Sequence, residues 1–97
     1  MSALSNKVAI ITGASSGIGY STSKLFAREG AKVIAAARRQ PELDGLVEEI
    51  IREGGQAVAL AGDVTDEAFA KALVELAVGR FGGLDVAFNN AGSIGEM

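Results

Sequence analysis

Apolar residues along this chain form four short unbroken runs, separated by stretches in which they recur every three or four positions. The runs are Val8 to Thr12, Val33 to Ala37, Ala57 to Ala61 and Val86 to Phe88. None alternates between apolar and polar, so each reads as a strand covered on both faces, the habit of a parallel sheet. In the first intervening stretch Ile18, Thr22, Leu25 and Phe26 share one helical face, and Gly30 is placed to end that helix in the left-handed region. The second stretch starts at Pro41, suited to a first helical position, and stops at Gly54-Gly55. Its stripe is Leu43, Leu46, Val47, Ile50 and Ile51, with Glu42 and Asp44 near the positive end of the helix and Arg52 near the negative end. The third has Thr65 or Asp66 as cap, buries Phe69, Ala72, Leu73, Leu76 and Ala77, and runs out at Phe81-Gly82-Gly83.

The order is therefore β-α-β-α-β-α-β. Right-handed crossovers turn it into an α/β doubly wound parallel sheet with helices on both faces and strands in the spatial order 3-2-1-4. Ligands of such sheets bind beyond the carboxyl ends of the strands, near the switch between strands 1 and 4. Every suggestive loop of this sequence falls at that end. With 97 residues, no internal repeat and no low-complexity linker, residues 1–97 are expected to form part or all of a single domain.

Composition narrows the chemistry. An apolar content of 48% with 22% charged residues suits a soluble globular chain. The net charge is −3 and the nine Lys and Arg are scattered, which argues against nucleic acid and against a basic membrane helix. Neither cysteine nor histidine occurs, so disulfides, thiolate or zinc sites and Ser-His catalysis are excluded for these residues. Met1 to Lys7 has neither the basic nor the apolar segment of a signal peptide, and no apolar run approaches the ~20 residues of a membrane span. The expectation is a cytoplasmic protein with no metal, membrane or nucleic-acid partner.

The most informative segment is Thr12-Gly13-Ala14-Ser15-Ser16-Gly17-Ile18-Gly19, between the first strand and the first helix. A glycine-rich turn there brings bare backbone close to an anion. The helix start adds outward-pointing N–H groups and partial positive charge. That is the build of a pyrophosphate site, and it points to a nicotinamide dinucleotide. The bland alternative is an ordinary strand-to-helix turn, because glycine spacing alone is weak evidence. A mononucleotide P-loop is excluded, since no Gly-Lys-[Ser/Thr] completes it.

The same segment matches T-G-x-x-x-G-I-G, the fingerprint of the short-chain dehydrogenase/reductase family, and the chain resembles that family at two further places. Asn89-Asn90-Ala91-Gly92 matches its N-N-A-G signature after the fourth strand, and Asp63-Val64 is similar to its pair beside the adenine ring. The resemblance covers nearly the whole chain but only the amino-terminal part of a family member. It implies a partial Rossmann-type fold, with residues 1–97 the N-terminal dinucleotide-binding portion of a single domain truncated after strand 4. Gly13, Ser15, Ser16, Gly17, Ile18 and Gly19 would cradle the phosphates and the adenosine ribose. Asp63 would accept from the adenine amino group, Val64 would pack near the ring, and Asn90, Ala91 and Gly92 would line the ribose groove. It also implies hydride transfer between the nicotinamide and an alcohol or carbonyl carbon.

Arg38-Arg39 follows the second strand, and Ala37 stands where an NAD binder would carry an acidic residue for the 2′-hydroxyl. A guanidinium binds a 2′-phosphate by paired charge-assisted hydrogen bonds, whereas a carboxylate repels it, so NADP(H) is expected over NAD(H). Solvated loop arginines are the competing explanation. Tyr20-Ser21-Thr22-Ser23-Lys24 fits the family's catalytic Y-x-x-x-K, but directly behind the glycine turn rather than far downstream. At ~100° per residue Tyr20 and Lys24 lie opposite Ile18, Thr22 and Leu25, and they are expected to face solvent. No catalytic residue is assigned. The family's downstream serine, tyrosine and lysine have no counterpart before Met97. The chain is thus expected to be inactive alone and either to self-associate, through an open fourth-strand edge or an uncovered sheet face, or to exist only as part of a larger protein. A non-catalytic nucleotide-binding module and a remnant without independent function are the rival readings.

Overall fold

The computed structural model describes residues 4–14, 17–63 and 65–89, with Asn89 described by its backbone alone. The elements are β1 (Val8–Thr12), α1 (Gly17–Arg28), β2 (Lys32–Ala37), α2 (Gln40–Arg52), β3 (Gln56–Ala61), α3 (Glu67–Phe81) and β4 (Val86–Asn89). All strands pair in parallel in the order β3-β2-β1-β4, as the alternation of runs and stripes implied. The last three strands each extend one polar residue past their apolar run, to Lys32, Gln56 and Asn89.

Because successive strand side chains point to opposite faces, each run fills two cores. Ile11, Val33, Ala35 and Ala57 pack with Leu43, Leu46 and Ile50 beneath α1 and α2. Val8, Ile10, Ile34 and Ala36 pack with Leu73 and Ala77 of α3 on the other side. The helix ends follow local chemistry. Asp66 caps α3 by accepting from the Ala68 amide at 2.9 Å, and Gly82 ends it at φ 88°. Arg39 holds the cap position of α2, so Pro41 sits one residue inside that helix rather than opening it.

The orientation of α1 overturns one expectation. Its buried positions are Gly19 and Ser23, with Phe26 and Ala27 packed beside them, while Ile18 and Leu25 are 69% and 53% exposed. The core-facing side is built from small residues, which let the helix axis come close to the sheet. A Cβ on Gly19 would run into the Gly13 carbonyl, and the Ser23 hydroxyl is satisfied by the Gly19 carbonyl at 2.8 Å. Tyr20 and Lys24 do lie opposite Ile18, but they face α2 and not solvent. The Tyr20 hydroxyl donates to Glu49 at 2.7 Å, and Lys24 pairs with Glu49 and Glu53 at 3.5 and 3.9 Å.

On the second face α3 covers β1 and β2. Toward β4 it leaves an apolar hollow of about 210 Å³, lined by Ile10, Leu73, Val74, Leu84, Ala87 and Phe88. Among the described residues β4 pairs only with β1 and is an edge strand.

Candidate functional site

The parallel register brings the carboxyl ends of the strands level. Thr12 is opposite Ala36 on one side and Asn89 on the other, and Ala37 is opposite Ala61. Hydrogen bonds just past the strands tie these ends together. The Ala14 amide donates to the Ala36 carbonyl at 3.1 Å and the Gly62 amide to the Ala37 carbonyl at 2.9 Å. The Thr12 hydroxyl makes a long bond of 3.4 Å to the Phe88 carbonyl. Gly13, Arg38 and Asp63 therefore follow neighbouring strands on one rim of the sheet. Their spacing is set by backbone, not by loop side chains.

The turn after β1 has the features an anion cradle needs. Gly13 adopts φ 67°, a conformation costly for any residue with a Cβ. The contact of Gly19 with the Gly13 carbonyl brings the first turn of α1 hard against the strand end. Among the described residues the leading end of the helix is open: Gly17 and Ile18 are exposed, and none of them lies within 4 Å of a Cβ built on Gly17. No acidic residue occupies the first turn, so among the described residues the dipole's positive end meets no side-chain anion of its own helix. These residues fit a pyrophosphate. Ser15 and Ser16 lie outside the described residues, as do Val64, Asn90, Ala91 and Gly92.

Asp63 is held firmly at the end of β3. Its Oδ1 accepts from the Thr65 amide at 2.9 Å and from the Thr65 hydroxyl at 2.6 Å, a local turn closed by an aspartate two residues back. These two bonds, with a lesser contribution from the Arg38 charge, hold the carboxyl below the ordinary aspartate value. The Phe69 ring lies over Gly62, where a Cβ would come within 2.6 Å of it, and so packs the segment down on the sheet. Thr65 as the anchor of Asp63 escaped the sequence reading, although the Asp-x-Thr spacing carries that signal.

Arg38 reaches across the rim toward Asp63, its Nη2 3.5 Å from the same Oδ1. Arg39 turns the other way, pairing with Glu42 at 3.2 Å in the first turn of α2. Both are largely exposed. The two arginines that the sequence treats as one feature thus occupy different surroundings, and only Arg38 stands beside the proposed adenosine end.

Tyr20 lies outside this rim chemistry. Its bond to Glu49, then partial burial, then the Glu49 charge all raise its pKa above the ordinary phenol value. A general acid/base tyrosine needs the opposite shift. Asp85 closes the amino end of the sheet: its carboxylate accepts from the Val8 amide at 2.9 Å while its own amide donates to the Val8 carbonyl at 2.9 Å. Among the described residues no group of three or more acidic, histidine or cysteine side chains forms a metal cluster, and no helix is long and apolar enough to cross a membrane.

A family model described as short chain dehydrogenase matches residues 7–97. The chain is 51% identical over 86 residues to an A-factor type gamma-butyrolactone 1'-reductase (1S-forming) of Streptomyces virginiae, covering 89% of this chain and 34% of that protein. It superposes on a hydroxysteroid dehydrogenase from Escherichia coli with a TM-score of 0.88 and 40% identity, covering 92% of this chain and 38% of the other. An L-sorbose reductase from Gluconobacter frateurii, solved with NADPH and L-sorbose, gives a TM-score of 0.86 and 39% identity, covering 92% and 34%. The chain spans little more than a third of the length of these relatives.

Proposed function

Since the chain belongs to the short-chain dehydrogenase/reductase family, whose members are oxidoreductases binding a nicotinamide dinucleotide, we propose that it is the NADP(H)-binding part of an enzyme acting on an alcohol or carbonyl substrate. The observation that carries this reading is the open leading end of α1, seated against Gly13 at the level rim of the sheet. Gly13, Gly17, Ile18 and Gly19, with Ser15 and Ser16, would hold the pyrophosphate and adenosine ribose. Asp63 and Val64 would meet the adenine, and Asn90, Ala91 and Gly92 the ribose groove. Arg38 and Arg39 would take the 2′-phosphate, a preference supported by the lack of an acidic residue at Ala37 and by the NADPH of the sorbose reductase. When bound, the coenzyme supplies or accepts hydride at its nicotinamide ring. This chain's residues bind and orient it. They include no assigned proton donor, so the chain by itself is expected to bind without turnover. Self-association through the β4 edge or the hollow beside α3, and a cytoplasmic setting, complete the proposal.

The test sets folding against binding. Ile18→Glu places a carboxylate in the exposed first turn of α1, where the helix dipole favours it by ~0.3–1 kcal/mol. The expected result is a fold at least as stable to urea and an affinity for NADPH at least about tenfold weaker, because the new charge stands where the pyrophosphate would lie. Unchanged NADPH affinity in Ile18→Glu, or no saturable NADPH fluorescence change in the parent chain, would remove the site from the rim.

A further inference from the structure

We propose that Asp63 sets coenzyme preference by holding the Arg38 guanidinium, so that a 2′-phosphate must draw the arginine away from a carboxylate already in place. The inference rests on the coenzyme reading above and adds a specificity-determining positioning residue to it.

The arrangement is asymmetric. Asp63 is fixed from below by the amide and hydroxyl of Thr65 at 2.9 and 2.6 Å, so its oxygen stays put whether or not Arg38 is near. Arg38 sits on the neighbouring strand end, with its side chain 73% exposed, and its recorded side-chain partner is that same oxygen at 3.5 Å. A mobile cation therefore rests against an immobile anion. Any second anion arriving at Arg38 meets a guanidinium that is partly neutralised. NADH lacks the 2′-phosphate and does not meet that obstacle. Asp63 thereby narrows the preference that Arg38 creates. Arg39, engaged with Glu42 on α2, has no such link to Asp63.

The adenine contact expected of Asp63 would be common to both coenzymes and cancels in a ratio. The measured quantity is the NADH dissociation constant divided by that of NADPH, from fluorescence titration of the full chain. Asp63→Asn keeps an oxygen for Thr65 and removes the charge, so the fold should survive. The ratio is expected to exceed one in the parent, to fall in Arg38→Ala, and to rise roughly two- to fivefold in Asp63→Asn, the range of an exposed ion pair. In the double variant it should match Arg38→Ala. An unchanged or lowered ratio in Asp63→Asn overturns this inference while leaving the coenzyme reading intact. So does a rise of equal size without Arg38. A parent ratio of one overturns the NADP(H) reading and takes the inference with it, whereas no effect of Arg38→Ala overturns the role of Arg38 and the inference alone.

Discussion

On one side of the sheet α1 and α2 lie side by side over the strands, and Leu43, Leu46 and Ile50 are shut away from solvent with Ile11 and Val33. On the other, α3 is the one helix among the described residues, its Leu73 and Ala77 buried but Val74, beside an apolar hollow, 44% exposed and Val78 53% exposed. Both sides are built from alternate residues of the same strands, so the difference does not come from strand sequence. It comes from the number of helices that share each side. A paired layer leaves no apolar flank open between its members, whereas a single helix covers one strip and leaves the strip nearest β4 bare. The proposed binding rim draws on the paired side, since the glycine turn leads into α1 and Arg39 holds the cap position of α2. The unpaired side contributes Phe69, which packs the segment at Gly62 onto the sheet.

Truncation of the core should show this contrast at its largest. Leu46→Ala opens a cavity in the paired layer and is expected to cost about 2–5 kcal/mol in urea unfolding. Val74→Ala, on the outer flank of α3, should cost less than about 1 kcal/mol. Equal losses would mean that the α3 flank is as well covered in solution as the α1–α2 layer, and the comparison would fail.

A smaller effect is expected from the polar clasp that joins α1 to α2, for which α3 has no partner helix. Tyr20→Phe removes the hydroxyl bond to Glu49 and should lower the melting temperature by a few degrees, with NADPH affinity unchanged. The pH dependence has two limbs. The Tyr20 hydrogen bond, then the Lys24 charge, lowers the Glu49 pKa, so the clasp is complete above the ordinary glutamate range and is lost as pH falls through the folded-state value. The Tyr20 pKa is raised, so its contribution is complete below the ordinary phenol value and lost as pH rises through the higher folded-state value. Tyr20→Phe should remove the alkaline limb and shallow the acid one. An unaltered stability profile would show that Tyr20 and Glu49 are not joined.

The fold was legible because the strand runs are continuous and the caps are chemically explicit, as at Asp66 and Gly82. The placement of Gly13, Arg38 and Asp63 on one rim was legible because each closely follows a strand run. The core side of α1 was not. Hydrophobicity selects Ile18 and Leu25, but close approach to the sheet selects Gly19 and Ser23, and only a backbone shows that a helix axis must come this near. The same error put Tyr20 in solvent. Its partner Glu49 lies 29 residues away, and no local spacing announces an interhelical hydrogen bond. Nor does adjacency in sequence reveal that Arg38 and Arg39 turn to different carboxylates, because each choice depends on the neighbouring element.

The least effect on the fold, and the finest test of the unpaired side, is expected from Val74→Lys. The position is on the solvent flank of α3 and also lines the hollow toward β4. Lysine is a good helix former, and its stem can lie along apolar surface with the charge in water, so monomer stability should stay within about 0.5 kcal/mol of the parent. If a second copy covers the hollow, the same charge must be buried or displaced at the contact. Sedimentation should then show self-association weakened about tenfold, roughly 1.4 kcal/mol of contact energy. Equal self-association in both proteins would place the contact elsewhere, with the bare hydrogen-bonding edge of β4 the remaining route, since pairing there uses backbone groups that a change at Val74 leaves untouched. A parent chain that stays monomeric at high concentration would instead mean that the single helix is cover enough, and that the bare strip beside β4 is tolerated in water.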